Sequence, residues 1–179
     1  MKPYRILLVL LATTIIKTHA NMNSESNPLL GTYTTPHETV PFDRIKPEHF
    51  MPAFKVLFQE AKKDFNALLA EKEAPTFENT ILPVEERYDE ISRIGLILFN
   101  LNSAETNPKL QAVTQKVSPR LTRFVGKIML NHRYFNRVKA VYENRHRSGL
   151  TPEEIRLVET MYTNMKRNGA GFGWYKKLR

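Results

Sequence analysis

Apolar residues recur at three- and four-residue steps through most of this chain, and that period constrains the fold more than any other feature. Such spacing places side chains on one face of an α-helix, whereas a half-buried strand needs strict alternation. No alternating run accompanies the helical ones, so the sequence predicts an all-α fold of four to five helices. The first apolar run contains Phe50, Phe54, Leu57, Phe58, Ala61, Phe65 and Leu68.

Proline and capping residues mark where the first two helices begin and end. The first is expected over 47–72, with Pro52 dividing it into a short and a longer helix, because proline removes a backbone donor and crowds the preceding turn. Thr76 suits the N-cap of a second helix, predicted over 77–99. Residues 100–107 contain turn formers and predict a break.

Three further helices are expected in the second half of the chain. Asn107 would cap a third helix, which Pro119 is expected to kink. Asn131 would cap a fourth. Thr151 opens a fifth with the capping-box pattern, completed by a glutamate three residues later. Gly169 lies where a left-handed helix end is expected.

The first twenty residues are predicted to be a secretory signal peptide. Lys2 and Arg5 precede the apolar stretch 6–16, and Ala20 supplies the small residue at which we expect cleavage. As a helix that stretch would rise only about 16 Å, against about 30 Å for a hydrocarbon core, so a membrane anchor is the weaker alternative.

The rest of the chain divides into three parts by composition. Residues 21–46 are polar and rich in proline and predict an extended N-terminal arm. Residues 47–170 carry the predicted helices. Residues 171–179 form a C-terminal tail of different character.

Charge and cysteine content exclude several classes of function. The chain contains no cysteine, which excludes a disulfide framework, a thiol nucleophile and a zinc finger. Residues 21–115 hold 9 basic and 14 acidic side chains, whereas 116–179 hold 15 basic and 4 acidic ones. Such asymmetry can accompany nucleic-acid binding, but an exported chain rarely meets nucleic acid. An acidic protein surface is the better match for the basic half.

We find no catalytic or metal-binding motif. His37 and Glu38 resemble the start of an HExxH zinc site, but Pro41 occupies the position of the second histidine. The glycine-rich stretch 169–173 follows no strand, so it is not a dinucleotide fingerprint. We therefore assign no catalytic or metal residue, and substrate-binding residues stay unassigned. The other histidines beyond the signal segment are widely separated: His49, His132 and His146.

A group of carboxylates on the second predicted helix has two interpretations. It could form a cation site or an acid–base pair, but a solvated helix face is favoured, because charged side chains usually lie on the exposed side of an amphipathic helix. The group consists of Glu85, Glu86, Asp89 and Glu90.

Several blocks of sequence follow one another in an order typical of one peptidase family. Together they resemble the N-terminal helical region of the thimet-oligopeptidase type of zinc metallopeptidase. Within it they are most similar to the peptidyl-dipeptidases, with the oligopeptidase A group next. The blocks are 27–30, 41–54, 73–81, 99–107, 117–121, 128–131, 137–142, 150–153 and 168–170.

This resemblance implies the N-terminal part of a larger, all-helical channel-type peptidase, with these helices covering one side of the substrate channel. It implies zinc, bound elsewhere by an HExxH pair and a downstream glutamate, and release of C-terminal dipeptides from short peptides. None of those positions occurs in this sequence, so no zinc ligand is carried over.

We therefore expect an exported, periplasmic peptidase fragment that is inactive by itself. Its expected partners are the missing catalytic half and, in the complete enzyme, a peptide substrate; neither nucleic acid nor, after signal removal, a membrane is expected. A stand-alone exported helical module that binds peptides or a partner protein is the alternative.

Overall fold

Five α-helices make up the described part of the chain, residues 27–171 of a computed structural model. No strand occurs in that range, which confirms the predicted all-α fold. A short 3-10 helix (Pro36–Glu38) precedes the first α-helix and a π-helical segment (Phe77–Ile81) precedes the second. The α-helices are α1 (Pro47–Ala70), α2 (Leu82–Ala104), α3 (Pro108–Met129), α4 (His132–Asn144) and α5 (Pro152–Arg167).

The predicted signal peptide, 1–20, lies outside the described residues, as do 21–26 and 172–179. Within 27–171, no helix combines the length and apolar character needed to cross a membrane.

The predicted caps are confirmed. Asn107 and Asn131 each accept a hydrogen bond from the backbone N–H three residues later. Thr151 and Glu154 exchange the two bonds of a capping box, at 3.3 and 2.8 Å. Gly169 has a φ of +83°, the left-handed conformation that ends many helices.

The predicted division of α1 at Pro52 was wrong, because the helix passes through that residue without a break. Pro52 removes one donor and crowds the carbonyl of Glu48, but both residues are exposed and water can bind that carbonyl. Phe50 and Ala53 are buried on the other side of the helix and hold it to the core. Helix α3 also continues through its proline, the exposed Pro119, without a break; the kink expected there stays a prediction.

The second helix differs from the predicted 77–99 at both ends. Its first turn is the π-helical segment, which ends at Ile81, two residues before Pro83. Proline has no N–H to continue the i→i−4 ladder, and the wider turn accommodates this loss. At the other end the helix continues to Ala104, because Leu101 extends the apolar stripe and packs against the core.

Two apolar clusters hold the helices together. The first fills the space among α1, α2 and α3, and the second joins α4, α5, the π-helical segment and the end of α1. Leu29 is fully buried in the first cluster, so the described part of the predicted arm is packed against the helices. Buried members of the first include Phe50, Phe54, Leu57, Ile91, Ile94, Leu98 and Val117. Buried members of the second include Leu68, Ile81, Tyr134, Val138, Val158 and Met165.

Tyr134 is the largest fully buried side chain of the second cluster. Its hydroxyl donates to the carbonyl oxygen of Thr80 at 3.1 Å, and its ring meets Phe65 edge-on with centroids 5.3 Å apart. Burial, and secondarily the charge of Glu85, raise the pKa of Tyr134. The hydroxyl therefore stays protonated and remains a donor, which ties α4 to the segment before α2.

Arg137, one turn further along α4, fastens the connection between α1 and α2. Its guanidinium donates to the carbonyl oxygens of Glu71 and Glu73, at 3.2 and 3.4 Å. It also donates to Asn79 Oδ1 at 3.0 Å. One side chain thus binds two carbonyl groups of the connection that follows the end of α1.

Glu85 lies half-buried at the edge of the second cluster, beside a cavity of about 170 Å³ that Tyr134 and Met161 also line. Burial, followed by the nearby charge of Asp89, raises the pKa of Glu85. The folded protein thus binds a proton at this site more tightly than the unfolded chain does.

Tyr134→Phe is expected to lower the free energy of unfolding by about 1 kcal/mol, because it removes a buried hydrogen bond and keeps the ring. Thermal unfolding followed by circular dichroism would show a melting temperature about 2–4 °C lower. The control is Tyr142→Phe, where the ring stacks on Tyr162 at 4.1 Å and the substitution leaves that stack in place. Equal melting temperatures for both variants would contradict the role given to the Tyr134 hydroxyl.

Glu85→Gln is expected to stabilise the fold near pH 7 and to have little effect near pH 4. A carboxyl with a raised folded pKa contributes stability below its unfolded pKa, and that contribution is lost as the pH rises through the folded pKa. Melting temperatures of wild type and variant at the two pH values measure the difference. Glu86→Gln, on the exposed surface of α2, is the control. A pH-independent effect of Glu85→Gln would contradict this linkage.

Candidate functional site

The four histidines within the described residues do not come together. His37 lies in the 3-10 helix, where it is exposed, and His146 follows α4. His49 Nδ1 accepts a backbone N–H in the first turn of α1. His132 Nδ1 lies 3.1 Å from the carbonyl oxygen of Ala170. Within 27–171, no group of three or more metal-ligating side chains converges, so the donors present do not fit a zinc ion.

The carboxylates of α2 are also divided among different environments. Glu90 binds Arg87 at 2.5 Å, and Glu85 lies beside the cavity described above. Glu86 and Asp89 are exposed. The four side chains therefore share a helix without forming one binding site.

Arg87 is the centre of an ion-pair network between α1 and α2. Its guanidinium contacts Glu60 at 3.1 Å and Asp64 at 2.6 Å, in addition to Glu90. Partial burial alone would lower the pKa of Arg87, but the hydrogen bond that it donates to Asp64 and the three carboxylate charges raise that pKa. Three acids on this side of the molecule therefore share one arginine.

A groove between α1 and α3 is the feature best suited to bind a ligand or a protein segment. It has a volume of about 460 Å³, within the range of ligand-binding clefts. Its floor is apolar, and Phe58 packs against Phe124 across it with ring centroids 5.2 Å apart. The other apolar residues that line it are Phe65, Leu69 and Ile128.

The rim of this groove is basic. Lys62 stands on the α1 side, and Arg120, Arg123 and Lys127 stand on the α3 side. No acidic residue lines the groove, and among the described residues none of these four cations forms a salt bridge. All four are exposed. The groove therefore combines an apolar floor with unneutralised positive charge.

Sequence reasoning missed this groove. The period of α1 placed Phe58 and Phe65 on the core face, but both remain partly exposed along the groove. The available signal was the spacing of Arg120, Arg123 and Lys127 at three- and four-residue steps, which puts three cations on one side of α3. That spacing alone does not predict which helix packs beside α3 to form the other wall of the groove.

Comparisons with known proteins agree with the resemblance seen in the sequence. The family model described as the neurolysin/thimet oligopeptidase N-terminal domain matches residues 54–177. Dipeptidyl carboxypeptidase of Salmonella typhimurium is 34 % identical over 154 residues, covering 86 % of this chain and 23 % of that protein. The Escherichia coli enzyme of the same name is 34 % identical over 144 residues, covering 80 % and 21 %.

Oligopeptidase A of Escherichia coli is more distant, at 25 % identity over 154 residues, covering 86 % of this chain and 22 % of that protein. The chain thus spans less than a quarter of the length of each of these relatives. The predicted order of similarity, dipeptidyl carboxypeptidase before oligopeptidase A, is confirmed. The family match covers more than half of the sequence, and the chain belongs to the neurolysin/thimet oligopeptidase N-terminal domain family.

Proposed function

We propose that this chain serves as the N-terminal helical domain of an exported zinc peptidyl-dipeptidase, an enzyme that releases C-terminal dipeptides from short peptides. The observation that carries the proposal is the 34 % identity to dipeptidyl carboxypeptidase across 86 % of the chain. The similarity to oligopeptidase A is weaker, at 25 %, which favours the dipeptide-releasing activity over that of a general oligopeptidase.

In this proposal the chain supplies no part of the hydrolytic chemistry. A catalytic zinc needs three protein ligands around one point and an open position for water. The described histidines lie on separate elements, and no metal-holding group is found in 27–171. The zinc and the group that activates water would belong to the rest of the enzyme.

The role left to this domain is to pack against the catalytic part and cover one side of the peptide channel. Two buried clusters give the helices a fixed arrangement suited to that role. The basic residues concentrated after position 115 support an acidic partner surface, because opposite charges favour association. A stand-alone binding module remains the second candidate, favoured by the groove between α1 and α3.

The proposed activity predicts that residues 21–179 alone release no dipeptide from a blocked tetrapeptide in the presence of zinc. A chimera in which residues 27–171 replace the matched segment of the Salmonella enzyme is expected to release C-terminal dipeptides, and a chelator should abolish this. The same enzyme without the segment is the control. Chelator-sensitive release by residues 21–179 alone would contradict the proposal, and an inactive but folded chimera would favour the stand-alone module.

The proposed export predicts a mature N-terminus at Asn21 when the whole chain is produced in a Gram-negative host. Signal cleavage requires a small residue just before the cut, so Ala20→Arg should leave the precursor uncut. Mass spectrometry of the periplasmic and cytoplasmic fractions measures both. An intact chain confined to the cytoplasm would argue against export.

A further inference from the structure

We propose that the groove between α1 and α3 docks an acidic amphipathic helix from the catalytic part of the same peptidase. This inference rests on the proposed function, since it takes the occupant from the remainder of a longer enzyme. To that function it adds where on this domain the catalytic part binds and what kind of segment binds there.

The dimensions of the groove favour a helix. From Phe58 to Leu69 the lining of α1 extends about 16 Å, which equals about three helical turns. An occupant there would lie against both α1 and α3 and complete a four-helix arrangement with α2. Helices packed in this way insert apolar side chains spaced three and four residues apart. The rings of Phe58 and Phe124, with Leu69 and Ile128, would meet those side chains.

The positive charge of the rim predicts which side chains lie beside the apolar stripe of the docked helix. Lys62 and the three cations of α3 stand around the groove without a carboxylate partner. Bringing a neutral helix over them would remove water from charged groups without compensation, whereas glutamates flanking the apolar stripe would pair with them. A helix whose apolar side chains face the floor and whose acidic side chains flank them on both edges would match both the floor and the rim of the groove.

Segments of this chain outside the described residues are poor occupants. Residues 172–179 contain three basic side chains and no acid, so they carry the same sign of charge as the rim. Residues 21–26, which remain after the proposed cleavage, would span only about 9 Å as a helix and are too short to fill the groove.

A second copy of the chain is also disfavoured. Residues 21–179 contain 24 basic and 18 acidic side chains, a formal charge of +6, so two copies repel one another. Three of the carboxylates that a second copy could offer, Glu60, Asp64 and Glu90, are already bound to Arg87. The relatives provide a better source, because more than three quarters of their length lies outside the matched region.

The test uses fluorescein-labelled peptides of about 15 residues that tile the unmatched part of the Salmonella dipeptidyl carboxypeptidase. Fluorescence anisotropy measures their binding to residues 21–179. We expect the tightest peptides to be acidic, with apolar residues at helical spacing, and to bind more weakly as salt rises, because salt screens exposed charges. Scrambled peptides of the same composition should bind at least about tenfold more weakly, since scrambling removes the apolar stripe.

Charge reversal locates the site. Arg120→Glu with Arg123→Glu is expected to weaken binding of those peptides by about tenfold or more, on the scale of losing one or two charge pairs. The matched control is Arg147→Glu with Arg156→Glu, two exposed arginines that do not line the groove, and it should change binding by less than about twofold. Circular dichroism melts confirm that both double variants remain folded.

Four results would overturn the inference. They are binding by no tile, equal binding of scrambled peptides, equal binding by the Arg120/Arg123 variant, and self-association of the wild type that this variant abolishes. The last would assign the groove to a second copy and is measured by sedimentation velocity. The activity of the chimera tests the proposed function separately. An active chimera together with any of these four results would therefore reject the docking site while leaving the proposed function supported.

Discussion

The contacts that α4 makes with the connection between α1 and α2 are the interaction on which the rest of this fold depends. The first apolar cluster involves α1, α2 and α3, and the second involves α4 and α5. Tyr134 and Arg137 reach from α4 to the chain segment that links α1 to α2. Because that segment joins α1 and α2, which supply most of the first cluster, these two side chains tie the second cluster to the first.

Local signals explain how much of this fold could be predicted from the sequence. A capping residue such as Asn107 or Thr151 binds backbone groups only three or four residues away. The neighbouring sequence is therefore enough to predict the cap. Pro52 was misleading because its effect depends on exposure and on buried neighbours, which are properties of the packed helix. The extension of α2 past residue 99 has the same origin, since Leu101 gains from a core that only the tertiary structure supplies.

The groove between α1 and α3 shows the same limit for the candidate site. Both of its walls can be recognised as amphipathic helices, but their register relative to each other is decided by the packing of Phe58 on Phe124. The sequence showed an acidic first part and a basic second part. The structure adds that three of the acids surround Arg87, whereas the cations around the groove have no such partner within the described chain.

The contrast between the paired acids around Arg87 and the unpaired cations around the groove bears on how such a domain can contribute to a peptidase. Hydrolysis needs donors that converge on one point, and the described histidines are held apart by helices whose positions the two cores determine. A rigid helical body with dispersed donors can still contribute binding energy, which helps catalysis when it orients a substrate or holds the catalytic part in its active arrangement. In the proposed docking, an unpaired basic rim beside an apolar floor would suit that second task, because it would give an acidic partner both affinity and one preferred orientation.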